Sequence, residues 1–211
     1  MSDSVVPGDL IEMAMFPLGS TVFPSQIIPL HVFEPRYRQL FADLGDLGPD
    51  SSFGIALIDR GHEVGGGDSR VSVATRVEIL QAERFEDGRW AVVAVGVERL
   101  DVHEWLEDEP YPRAMVSTRT VIDNGGSSLD DLEELLLETI SATAASGGYA
   151  FDRELEFSPD PLQKLDQFSA VSPLVEFDRQ RVLEANKTSE QIERLTEALI
   201  GRLQVLRADD H

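Results

Sequence analysis

The residues of this sequence that could do chemistry are few and poorly spaced for it. Four histidines, His31, His62, His103 and His211, are the candidate bases and metal ligands. His103-Glu104 opens like the H-E-x-x-H zinc motif, but Glu107 stands where the second histidine would have to be. That segment also reads as a strand, so the helical spacing fails too. The absence of cysteine removes thiolate zinc sites, a Cys nucleophile and a disulfide scaffold. Lys164 and Lys187 are the only lysines, and neither follows a glycine, so there is no P-loop. Both lie on polar helical segments, where nothing would desolvate an amine into a nucleophile. Gly65-Gly66-Gly67 is followed by Asp68, which repels phosphate, and lies between two strands, so it reads as a loop. No G-x-S-x-G elbow occurs. Carboxylates are so abundant that a pair of them carries no signal for acid–base catalysis.

Charge narrows the partners. Thirty-nine Asp and Glu against 18 Lys and Arg give a net charge of −21. Residues 1–122 carry −10 and residues 123–211 carry −11, so the excess is spread along the chain and is no acidic tail. Such a surface favours solubility and repels nucleic-acid backbones and anionic lipid. The first residues hold no basic run, and Asp9 and Glu12 interrupt the apolar ones, so no signal peptide is expected. No apolar stretch approaches the roughly 18 residues of a membrane span. With the missing cysteines, this fits a soluble cytoplasmic protein.

The elements that must position any site fall into two parts. Residues 11–122 read mainly as strands, behind a flexible tail at 1–10. Ile11–Phe16 is apolar and is expected to stop at Pro17. Pro24 and Pro29 interrupt the next apolar run, which suits strand edges and not a central strand. Phe53–Asp59 and Arg70–Leu80 follow, and Val71, Val73, Thr75, Val77 and Ile79 of the latter alternate at period two. Arg89–Trp105 is too long for one flat strand, and Gly96 is the expected bulge or bend. Asp87-Gly88 predicts a type I′ hairpin turn. Pro112–Ile122 completes the set, and short turns throughout suggest a small barrel. One helix interrupts: Pro35 suits a first turn, and Tyr37, Leu40, Phe41 and Leu44 share a face.

Residues 123–128 (DNGGSS) read as a linker. Beyond it, residues 129–211 change to helical period. Helices are expected over Leu129–Ala145, over Pro159–Val171 and Pro173–Ala185 behind Ser158 and Ser172 caps, and from Thr188 behind a Thr188/Gln191 capping box. Ile192, Leu195, Leu199, Leu203 and Leu206 form the last helix's stripe. The fold class is α+β: a β-barrel or pseudo-barrel followed by a carboxy-terminal helical bundle, or helices packed on the barrel.

Phe16-Pro17-Leu18, Val22-Phe23-Pro24, Pro29-Leu30, Phe33-Glu34 and Arg36-Tyr37 follow one another in an order that resembles the opening of the Lon protease amino-terminal domain family. FGIALID, VATRVEIL, DGRWAVVAVGVERL and PYPRAMV resemble its later strands, and residues 168–195 resemble its trailing helices. Ser25 departs from the family's usual Gly, Ala74 from the Gly of its V-G-T, and Leu100 from its Phe. The resemblance implies a PUA-like barrel with helices behind it. In full Lon proteases this region engages substrate proteins and supports oligomerisation. The ATPase and Ser-Lys protease modules would follow His211, so the resemblance implies a stand-alone form without turnover or cofactor, linked to protein quality control.

The expected partner is unfolded or extended polypeptide, or a protein, which includes a second copy of the chain. Phe16, Leu18, Val22, Phe23 and Leu30 read first as core. The candidate peptide-binding set is Phe23, Pro24, Ile27, Phe33, Arg36, Tyr37 and Arg38, an apolar surface whose arginines could take a carboxylate bidentately. The competing reading makes this segment buried structure, with the interface elsewhere or in the helices, and has Glu34 pin the helix by an ion pair with Arg36 or Arg38. Two other functions stay open: an RNA-binding PUA-like protein, which the charge opposes, and a hydrolase with converging titratable groups.

Overall fold

The computed structural model describes residues 10–45, 51–60, 69–124, 128–147 and 155–209. Gly65–Gly67, His62, His211, residues 1–9 of the expected tail and residues 125–127 of the expected linker lie outside them. The chain divides into two compact units, Met1–Arg119 and Thr120–His211.

The first unit is a seven-stranded sheet and one helix among the described residues: β1 (Ile11–Leu18), β2 (Ile27–Val32), α1 (Pro35–Asp43), β3 (Ser52–Arg60), β4 (Ser69–Arg70), β5 (Val73–Arg84), β6 (Trp90–Trp105) and β7 (Arg113–Arg119). Pairing runs β1–β7–β6–β5–β3, and β3 returns to β1 through a parallel ladder, Met15 to Leu18 against Gly54 to Leu57. β2 and β4 stay outside this ring, so the barrel is partial. β6 organises it, because its first half pairs with β2, its second half with β7, and both halves with β5.

Local sequence explains most of these elements. β1 runs two residues past the expected stop. Met15 N–H donates to Pro112 C=O on the β7 side at 2.8 Å, so period two turns the Pro17 nitrogen to that side as well. Pro17 therefore costs the β3 ladder no donor. The bend expected at Gly96 is present: Arg76 pairs with Glu98 but Val77 pairs with Gly96, which leaves Val97 as the extra residue. A second shift leaves Leu80 unmatched on β5. The Asp87-Gly88 turn differs from the expected type I′. Only Gly88 has positive φ, at 82°, and its N–H bonds Phe85 C=O, while Phe85 N–H bonds Arg89 C=O. This is a type I turn closed by a glycine bulge, in which Asp87 stays right-handed.

Phe16 of β1 stacks on Tyr37 of α1 with centroids 4.1 Å apart, and Phe41 of α1 meets Phe53 of β3 edge to face at 5.3 Å. Val22, Ile28, Val32, Leu40, Ile55, Val77, Ile79 and Val92 complete this core. Each fully buried side chain of this size contributes about 1.5–3 kcal/mol, and each aromatic pair about 0.5–1.5 kcal/mol more. Leu40, Phe41 and Tyr37 are the buried face of α1, as the helical spacing requires. A second cluster, Met13, Met15, Ala56, Ala74, Leu100, Ala114 and Val116, draws on all five strands of the ring.

The second unit holds α2 (Asp130–Ala145), α3 (Pro161–Val171), α4 (Glu176–Leu183) and α5 (Thr188–Asp209). α3 starts two residues later than expected. Asp160, not Ser158, is its cap and accepts from Gln163 N–H at 2.9 Å, and Pro161 takes the first turn. α4 is shorter than expected, because Ser172 caps the end of α3 and Val175 precedes the helix. Burial pushes the Arg179 guanidinium pKa down, with Glu176 opposing. Its Nη1 donates to the Ser169, Ala170 and Ser172 carbonyls, where the α3 dipole is negative. Leu195, Leu199, Leu203 and Leu206 of α5 are buried as the stripe predicts, and Gln191 turns inward to Asp166 and Ser169.

Candidate functional site

β2 is an edge strand whose second edge pairs with no strand among the described residues. Gly96 N–H donates to Gln26 C=O at 2.9 Å. Antiparallel alternation then turns Ile28, Leu30 and Val32 towards β6, and the backbone groups of Ile27, Pro29 and His31 away from it. Pro29 thus lacks its donor on the outer side, where no ladder bond is lost. Ile27, Pro29 and His31 are all exposed, Ile27 at 64%.

A cavity of about 210 Å³ lies between the end of β1, β2 and the start of α1. It is lined by Phe16, Pro17 and Leu18, by Pro29 to Val32, and by Phe33, Glu34 and Tyr37. It is smaller than the 300–1,000 Å³ of usual small-molecule pockets and accommodates roughly one or two side chains. Phe33 stands 54% exposed at its rim. Apolar walls beside an unpaired strand edge suit an extended peptide, whose main chain can bond the edge while a side chain enters the cavity.

The candidate residues separate accordingly. Ile27 and Phe33 are on the surface, and Tyr37 contributes a buried wall. Phe23 and Pro24 are buried, so their side chains belong to the core and offer no contact surface. Arg36 is held by Glu34 at 3.2 Å, lies 4.0 Å from Asp108, and covers the Tyr37 ring at 4.5 Å. Asp108 also takes both nitrogens of Arg70, at 3.0 and 2.6 Å. Arg36 is therefore a paired cation, as the helix-pinning reading has it. Arg38 lies over the β5–β6 turn, where a Cβ on Gly88 would sit 1.9 Å from its Nη2. There the Arg89 backbone N–H, then its guanidinium and Arg38, hold the Asp87 carboxyl below the usual carboxylate range. Neither arginine lines the cavity. Of the lining residues the candidate set held only Phe33 and Tyr37, and it missed the end of β1 from Phe16 to Leu18, the stretch from Pro29 to Val32, and Glu34; the signal was the pair of prolines, Pro17 and Pro29, each facing away from its ladder.

Other chemistry is sparse among the described residues. His103 Nε2 lies 2.8 Å from Ser117 Oγ, a base and a hydroxyl on adjacent strands, but neither lines this cavity. No three acidic or histidine side chains cluster as metal ligands. No helix is long and apolar enough to cross a membrane.

Known proteins agree with this architecture. The crystal structure of a Lon N-terminal domain protein from Xanthomonas campestris superposes with a TM-score of 0.61 at 23% identity, covering 89% of this chain and 98% of that one. The N-terminal domain of the Mycobacterium avium complex Lon protease gives 0.54 at 17% identity, covering 92% and 98%. Among curated sequences, Lon protease 2 of Herpetosiphon aurantiacus is 24% identical over 99% of this chain and 26% of its own length. The Lon protease of Dictyoglomus thermophilum is 26% identical over 92% of this chain and 25% of its own length. The chain spans about a quarter of the length of the curated relatives it matches. The ATP-dependent protease La (LON) substrate-binding domain matches residues 12–200, and the chain belongs to that family.

Proposed function

We propose that this chain is a non-catalytic, cytoplasmic polypeptide-binding module that holds extended segments of protein substrates, in the service of protein quality control. The observation that carries the reading is the apolar cavity beside the edge of β2 that is unpaired among the described residues, with Phe33 exposed at the cavity rim and Ile27 exposed earlier on β2. Membership of a substrate-binding family supports the partner class. The binding residues we assign are Ile27, Phe33 and the cavity wall at Tyr37. Edge pairing gives affinity through main-chain bonds, and the cavity gives selectivity for an apolar side chain. The net charge of −21 favours polypeptide over RNA as the ligand. The same chain is expected neither to hydrolyse ATP nor to degrade casein.

Titration of a fluorescent, permanently unfolded peptide against the wild type and an Ile27→Ser/Phe33→Ser variant tests this. Saturable binding that weakens about tenfold in the folded variant, or about 1.4 kcal/mol, is expected. No binding at high protein concentration ends the reading. An Arg36→Ala/Arg38→Ala variant separates the arginines, and unchanged binding there removes them from the site. Turnover of ATP or casein that is lost on mutating one residue of this chain would overturn the non-catalytic assignment.

A further inference from the structure

In the helical unit, a groove of about 460 Å³ runs between α4 and α5. Its floor is apolar and shallow. Ala198 and Gly201 leave room along α5, and a Cβ on Gly201 would meet nothing within 4 Å. Val175 and Val205 line it at 61% and 52% exposure. Arg194, Ala198, Gly201, Arg202 and Val205 recur at spacings of three and four, so the groove follows the α5 axis for about three turns. Arg194 joins the two walls: it donates to the Arg181 carbonyl at the end of α4 and pairs with Glu190 at 2.6 Å.

The groove is richer in arginine than the chain as a whole. Acids outnumber bases about two to one overall, yet three arginines and two carboxylates, Asp178 and Glu197, line this groove. Arg181 and Arg202 form no ion pair among the described residues. The Arg202 Nε is buried there with no hydrogen-bond partner. Arg202 is half-buried, and a carboxylate brought to its guanidinium would form a charge-assisted pair that the chain itself does not supply.

We infer that this groove docks an amphipathic helix of a partner protein, with small or apolar residues laid on Ala198, Gly201 and Val205 and acidic residues set against Arg181 and Arg202. A helix fits because the walls are two helices and the small residues admit a backbone closely. The charge of the whole chain would favour a basic peptide, whereas the local arginines favour an acidic one, and this opposition makes the inference testable.

The probe is a pair of synthetic amphipathic helical peptides with identical apolar faces, one bearing Glu and the other Lys on the polar face. Fluorescence anisotropy against the full chain is expected to show the Glu peptide binding about tenfold more tightly than the Lys peptide, the difference shrinking with salt. Arg181→Glu/Arg202→Glu should lose about tenfold of the Glu-peptide affinity. Gly201→Leu fills the groove while improving an α5 residue as a helix former, so it should abolish binding in a chain at least as stable. Ile27→Ser/Phe33→Ser should leave this binding unchanged, which separates the inference from the β2 site. Tighter binding of the Lys peptide, or Glu-peptide binding unaffected by Gly201→Leu, overturns it. A dimer seen by sedimentation equilibrium and lost in Gly201→Leu would assign the groove to a second copy and also overturn it.

Discussion

The carbonyl oxygen of Phe23 lies directly over Gly96, so that a Cβ at residue 96 would sit 2.1 Å from it. Ser25 N–H donates to Gly96 C=O at 2.8 Å, and Gly96 N–H donates to Gln26 C=O at 2.9 Å. The segment before β2 is thus fastened to β6 at the one residue that allows the approach. Gly96→Ala must push two backbones apart. We expect it to cost about 1–3 kcal/mol, in the range of overpacked sites, measured by denaturant unfolding. Because the segment positions β2, the variant should also weaken peptide binding while it remains folded.

Ser25 has φ of +66°, in the left-handed region that favours glycine. The strain is about 1–2 kcal/mol for an L residue, and glycine gives back part of it through unfolded-chain entropy. Ser25→Gly should therefore stabilise the protein by about 0.5–1 kcal/mol. A lower denaturation midpoint in this variant would contradict the assignment.

Thr75 is fully buried and its Oγ1 donates to Val22 C=O at 2.6 Å. Thr75→Val keeps the shape and removes the donor, and should cost about 1–3 kcal/mol. Thr75→Ser keeps the donor and loses only a buried methyl, about 1 kcal/mol, so a wild-type stability in Thr75→Val would remove the hydrogen bond from the account.

Stability and binding should separate along the candidate segment. Phe23 is completely buried, so Phe23→Ala should cost about 3–5 kcal/mol, seen as a loss of folded protein. Ile27→Ser and Phe33→Ser change exposed positions and should move stability by about 0.5 kcal/mol or less. If the exposed pair instead unfolds the protein, its role is packing and the site lies elsewhere.

Burial, followed by a hydrogen bond to Asp43, raises the Tyr111 hydroxyl above the usual phenol value of about 10. The folded state therefore holds this proton more tightly than the unfolded chain does. Its contribution is fully present below the unfolded value and is lost as pH rises through the raised one. The unfolding free energy measured across the alkaline range should fall more steeply with rising pH for wild type than for Tyr111→Phe. Equal slopes would remove Tyr111 from the alkaline transition.

Much of this architecture is legible in the residues alone, where the deciding physics is local. Period-two alternation in Val73–Ile79, proline in the first turn of α1, the α5 leucine stripe and the bend at Gly96 each depend on neighbours a few positions away. The ordered motifs from Phe16 to Tyr37 identified the family for the same reason. Tertiary structure decided whatever depends on distant partners. Period two cannot say which side of β1 lacks a partner, so Pro17 read as a stop although its nitrogen faces away from the β3 ladder. Arg36 stood in the candidate contact set, and the structure sets it beside Glu34 and Asp108; Phe23, which reads first as core, is fully buried. The open edge of β2 follows from its pairing with β6 alone. The α4–α5 groove, lined by Arg181 from α4 and Arg202 from α5, arises from helix packing, which no spacing along the chain encodes.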